Sequence, residues 1–211
     1  MKHILLSICL SVLLLTCSRQ TVKTETIVTN DVYLPTEIGM TYVDYKKIEV
    51  DKIKFFIKEE VKLERNHILL QDNYKLTETA TIISDVARQT NLDWEIIFTI
   101  ISFESKFKYT AKAKDRPTIG LMQMHGRAWS FCSEVLERKV YFNDPEDQVL
   151  CGSIWLQNAI DECNGKLDHG IAKYATGYMC DYSKSISVKF IVNRRLNLIN
   201  KLKKDQSKLL L

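Results

Sequence analysis

One acidic side chain stands where an acid is unexpected. Ile97, Ile100 and Ile101 recur at offsets of three and four, which puts them on one face of a helix. Glu104 follows Ile100 by four residues and Ile101 by three, so it continues that apolar face. A carboxylate in such a place either sits at the edge of a cleft or is costly to desolvate. Desolvation disfavours the charged form. A carboxylic acid that stays protonated near neutral pH can donate a proton to a glycosidic oxygen. Spacing alone also describes a glutamate emerging into solvent at a helix end.

The elements that must hold this residue can be read from periodicity. A helix is predicted from Trp94 to about Lys106, with Asp93 as its cap. Asn91-Leu92-Asp93 separates it from an earlier helix, for which Thr77 could be the cap and Ile82, Ile83, Val86 and Ala87 form the stripe. A loop with Asp115, Arg116 and Pro117 leads to Gly120–Gln123, and helical periods return over 149–160, 170–174 and 187–202. Ile53, Phe56, Ile57 and Val61 are also at helical spacing, although Ile53, Phe55 and Ile57 alternate like a strand. No strong strand pattern follows residue 76, so the fold is expected to be mainly α.

Three blocks, taken together, resemble the lytic transglycosylases, relatives of the goose-type lysozymes. They are Glu104-Ser105 at the end of an apolar helix, Gly120-Leu121-Met122-Gln123-Met124, and Tyr174-Ala175-Thr176-Gly177. Asp144-Pro145 and the stretch from Gly152 to Leu156 add to the likeness, which covers roughly residues 77–182. The resemblance implies a lysozyme-like domain of the SLT type acting on peptidoglycan glycan strands without cofactor or metal. Glu104 would be the catalytic acid and base. Ser105 would hydrogen-bond near the site, Gly120 would let backbone approach the sugar, and Gln123 would meet hydroxyl and acetamido groups. Tyr174 would set a hydroxyl near Glu104 and an aromatic face in the groove. Met122 belongs to the same binding block, although Leu121 and Met122 read more simply as packing beneath the cleft. Ala175 departs from the family, where Asn is usual. The variant flanked by cysteines resembles forms from secretion systems and phages, so such an assembly is a candidate partner. Asp115, the nearest candidate for a second carboxylate, reads as a solvated loop residue. A hydrolytic muramidase on the same fold and a non-catalytic, lipid-anchored glycan-binding scaffold are the rival readings.

The start of the chain speaks of export. Lys2 precedes an apolar run from Ile4 to Leu15, too short as a helix for a hydrocarbon core of about 30 Å but typical of a secretory signal. Leu14-Leu15-Thr16-Cys17 resembles the bacterial lipoprotein box, with Cys17 as the lipidated residue and Thr16 as a departure; ordinary cleavage a few residues on is the alternative. The net charge of +4 suits an anionic wall or membrane surface and does not call for nucleic acid.

In an oxidising compartment Cys132, Cys151, Cys163 and Cys180 imply two disulfides, with three possible connectivities. Short-range pairing, Cys132–Cys151 and Cys163–Cys180, is the predicted one, since it would staple the loop after the glutamine block and brace the segment with Tyr174. A zinc site is the weaker reading, because the chain has no Cys-x-x-Cys pair and no histidine at ligand spacing. The expected organisation is a signal peptide over 1–16, an extension or tether over 17–75, a catalytic domain over 76–185 and a basic C-terminal helix over 186–211. That last helix either touches an anionic membrane or packs by Leu196, Ile199 and Leu202.

Overall fold

A computed structural model describes residues 42–64, 66–114 and 117–208. The expected signal peptide, the lipidation at Cys17 and Asp115 lie outside the described residues. Eight helices follow in order: α1 (Tyr42–Val61), α2 (Ile68–Gln71), α3 (Asn73–Thr90), α4 (Trp94–Ser105), α5 (Gly126–Val135), α6 (Pro145–Glu162), α7 (Leu167–Thr176) and α8 (Ile186–Lys208). Among the described residues the only extended pairings are two isolated bridges, Lys112 with Ile119 and Ile119 with Met124. The domain is mainly helical, as the periodicity predicts.

The ambiguity at residues 53–57 resolves as helix. Ile53 and Ile57 are fully buried and Phe56 nearly so, while Phe55 is exposed. Helical spacing and not alternation therefore selects the buried face. The Phe56 ring stacks on Trp94 at 5.9 Å between centroids, which joins α1 to the start of α4. From Tyr42 onward the described residues form one compact unit, and Leu76 lies within α3.

Two caps differ from expectation. Asp72, and not Thr77, caps α3, because its carboxylate accepts from the free amides of Tyr74 (3.0 Å) and Lys75 (3.1 Å). Thr77 lies a turn inside and donates back to the Asn73 carbonyl at 2.8 Å. Asp93 stands at the N-cap of α4 but makes no side-chain cap bond. Its carboxylate is drawn to Lys203 on α8 instead.

The disulfides are Cys132–Cys151 and Cys163–Cys180, as the short-range reading predicts. The first ties α5 to α6. The second ties the end of α6 to the segment after α7. Loops of this size give bridges worth about 3 kcal/mol each.

Candidate active site

Glu104 lies one residue from the end of α4, and the end of that helix is firmly set. Lys106 (φ 55°) and Phe107 (φ 60°) are successive left-handed residues, a conformation non-glycine residues seldom adopt. They reverse the chain so that Phe107 returns under α4 and meets Phe98 edge-on at 4.9 Å. His67 secures the turn: its Nδ1 accepts from the Leu69 amide (3.2 Å), so Nε2 carries the proton and donates to the Lys106 carbonyl at 2.6 Å. On the neighbouring turn of α4, Ser102 donates to Glu60 of α1 at 2.6 Å. The Glu104 side chain is left 21% exposed at the edge of this apolar helix.

The block Gly120–Met124 is a tight loop. Gly120 has φ +89°, and a Cβ there would stand 2.5 Å from Cδ of Gln148. The glycine is therefore required by the backbone conformation and by a neighbouring side chain. Gln148 is buried in α6 and has its side chain fully engaged: its Oε1 accepts from the Leu121 amide (2.8 Å), and its Nε2 donates to the carbonyls of Tyr109 (3.0 Å) and Phe142 (2.8 Å). Sequence reasoning missed Gln148, although its place one turn into the helix that follows Asp144-Pro145 marks it as core-facing. Asp144 caps that helix through the Glu146 amide at 2.8 Å, with Pro145 in the first turn.

Met122 is fully buried, in line with its packing role, and lies against Gly152, where a Cβ would meet its Sδ at 2.4 Å. Gln123 adopts φ 50° and turns its amide into its own loop. Its Nε2 donates to the carbonyls of Ala111 (3.1 Å) and Gly120 (2.9 Å), and its Oε1 accepts from Thr118 at 2.9 Å. Ser105 is buried and donates to the Ile101 carbonyl at 3.2 Å.

Tyr174 closes the arrangement from α7. Its hydroxyl donates to the Met122 carbonyl at 2.6 Å, which fastens the loop to the helix. Burial holds the phenol well above its usual range, the negative charge of Glu104 pushes it further, and Arg195 pulls the other way. The phenol therefore stays a neutral donor at any pH near neutrality, and Glu104, Tyr174 and Arg195 share one electrostatic neighbourhood. Thr176 donates to the Ala172 carbonyl at 2.9 Å, and Gly177 (φ 84°) ends the helix in the left-handed conformation usual for a C-terminal glycine. Ala175 lies inside α7.

Arg195, which sequence reasoning did not single out, donates from Nη2 to Oε1 of Glu104 across 91 residues of chain. Its side chain is only 7% exposed. A signal for it exists: Val188, Val192, Ile199 and Leu202 are buried at offsets of four, seven and three, and residue 195 falls in the same stripe. Glu104 of α4 and Arg195 of α8 thus each continue an apolar stripe, and the two charges meet.

A cleft lined by Tyr45, Arg88, Asn91 and Lys203 opens at the opposite end of α4 and includes none of the residues in the three blocks. Among the described residues no cluster of histidine, cysteine and carboxylate side chains could hold a metal.

No curated protein matches this chain. The pattern of the transglycosylase SLT domain matches residues 81–189, just over half of the chain, a span that includes Glu104, Gly120–Met124, Tyr174 and all four bridged cysteines. The chain belongs to the transglycosylase SLT domain family, whose members are lytic transglycosylases.

Proposed function

We propose that this protein cleaves the β-1,4 bond between N-acetylmuramic acid and N-acetylglucosamine in peptidoglycan, with Glu104 as acid and then base. The observation that carries the reading is the setting of Glu104. It is a partly accessible carboxylate at a rigid helix end, next to a neutral Tyr174 that fastens the Gly120–Met124 loop beside it. Glu104 gives its proton to the leaving N-acetylglucosamine oxygen as the bond to the muramyl anomeric carbon breaks. The muramyl C6 hydroxyl oxygen bonds to that carbon and returns its proton to Glu104. The balance needs no water, and the new end is 1,6-anhydro-N-acetylmuramic acid. Attack from within the bound sugar has the advantage of an intramolecular reaction. Gln123 and Gly120 would act chiefly by shaping the loop against which the glycan lies, and Ser105 by packing the end of α4.

Export of the chain is supported by its two disulfides. A lipid anchor at Cys17 and partnership with a secretion-system or phage assembly are parts of the proposal that rest on resemblance alone.

The test is digestion of purified peptidoglycan with mass analysis of the products. Wild type is expected to release anhydro-ended muropeptides, and Glu104→Gln, folded as wild type, to lose about 10²–10⁴-fold in rate or more. Comparable turnover by the variant would remove Glu104 from the mechanism. An inert wild type would favour the scaffold reading.

A further inference from the structure

The last helix bears on the acid in a way that packing does not explain. α8 runs antiparallel to α4: Arg195 meets Glu104 at one end, and Lys203 meets Asp93 at the other. At the Glu104 end the grip is double. The Arg194 guanidinium lies over the ring of Phe103 at 5.0 Å and over Phe190 at 5.5 Å, while that of Arg195 lies 6.0 Å from the same Phe103 ring. Two adjacent arginines therefore clasp two adjacent residues, and cation–π contacts keep α8 in register on the end of α4.

Arg195 is an expensive way to fill its position. Its neighbours in the stripe, Val192 and Ile199, are apolar and buried. Arg195 buries a charge there for the sake of one donor on Glu104, and its Nε and Nη1 are buried with no hydrogen-bond partner among the described residues. Ion pairs of this kind are often no better for stability than an apolar side chain of similar volume. This buried arginine with two unmet donors is aimed at the candidate acid, where an apolar side chain would serve the fold as well. Arg195 also lies beyond residues 81–189, so the family pattern does not include it.

We infer that Arg195 is a positioning residue for the reaction: from α8 it orients the Glu104 carboxylate and sets the pH range in which that carboxyl can hold and return a proton. The inference rests on the reading of Glu104 as acid and base. The other groups around Glu104 leave this role to Arg195. Tyr174 of α7 is neutral, and Arg194 of α8 is stacked on Phe103 and Phe190. Lys106, on the same segment as Glu104, is drawn to Glu60 of α1 at 3.4 Å, and the loop 120–124 has no ionisable side chain. A nearby cation favours the ionised carboxylate, so the protonated, bond-breaking form is confined to lower pH while Arg195 is present.

The test compares Arg195→Met and Arg195→Lys with wild type in rate against pH on purified peptidoglycan, and in thermal unfolding. Arg195→Met is expected to unfold at the wild-type temperature or above it. The alkaline limb of its rate profile should move to higher pH by on the order of one unit, with a lower maximal rate because the carboxylate is no longer oriented. Arg195→Lys, which keeps the charge without the planar fork, should return the limb towards wild type while the rate stays reduced. A folded Arg195→Met with the wild-type profile would overturn the inference, and so would a fall in rate equal at every pH. Infrared difference titration of the Glu104 carboxyl, with Glu104→Gln as the blank, decides the matter without turnover. An upward move of its midpoint in Arg195→Met supports the inference even if wild type makes no anhydro ends, and an unmoved midpoint defeats it.

Discussion

The Gly120–Met124 loop and helix α8 flank the same carboxylate in opposite ways. In and around the loop, polar side chains are spent on the scaffold: Gln123 satisfies Ala111, Gly120 and Thr118, and Gln148 of α6 satisfies Leu121, Tyr109 and Phe142. On α8, a buried arginine reaches Glu104 with two donors left over. The polar side chains at the loop close on its own backbone, whereas α8 brings a buried charge to Glu104. A short motif can therefore mark the frame of a site as strongly as its chemistry, and a lone charge in an apolar stripe can mark chemistry outside any motif.

The contrast can be broken first at Gly120. Gly120→Ala must hold a left-handed φ and push its methyl into Gln148, so a loss of about 2–4 kcal/mol is expected. Denaturant unfolding measures it. A loss below about 0.5 kcal/mol, the size of an ordinary surface substitution, would mean that the loop is softer than its hydrogen bonding implies.

Gln123→Ala sharpens the comparison. If the amide is a scaffold element, stability falls by about 1–3 kcal/mol as two carbonyls and a hydroxyl lose their partner. The KM for glycan fragments should change little beside that. A large rise in KM with unchanged stability would show instead that Gln123 meets the sugar directly.

The smallest effect is expected at the far end of α8. Lys203 and Asp93 are each about half exposed. Hydrogen bonding to Asp93 raises the Lys203 pKa, opposed by partial burial. Exposed pairs contribute about 0–1 kcal/mol. Lys203→Met should leave both unfolding and turnover near wild type, in contrast to Arg195→Met, whose rate profile should move. A change in the rate profile as large as at Arg195 would mean that the pose of the whole helix matters and not the guanidinium.

Much of this was legible in the sequence, and the gaps have physical causes. The helices around residue 100 follow from the stripe of Ile97, Ile100 and Ile101, and the pairing of cysteines follows from separations of 19 and 17 residues, short enough to staple adjacent elements. The direction of the Gln123 side chain was not legible, because it depends on a left-handed φ that no glycine or turn pattern signals at that residue. Asp72 and Thr77 are both competent caps, so residue type does not decide between them at the start of α3, and the short helix α2, stopped by Asp72, is too brief to show a period. The contact of Arg195 with Glu104 joins residues 91 apart. Periodicity shows that each charge lies on an apolar face, but only the packing of α8 on α4 shows that the faces are the same interface.

In the proposed reaction the bound sugar, and not water, supplies the nucleophile at Glu104. A hydrolase would need a second carboxylate, roughly 6.5–9.5 Å away to hold a water or about 5–5.5 Å away as a nucleophile. Digestion of peptidoglycan in water enriched in heavy oxygen addresses the difference directly. The expected products have anhydromuramyl ends that are lighter by one water than hydrolysed ends and carry no heavy oxygen. Reducing muramyl ends bearing the label would contradict it and identify the enzyme as a muramidase.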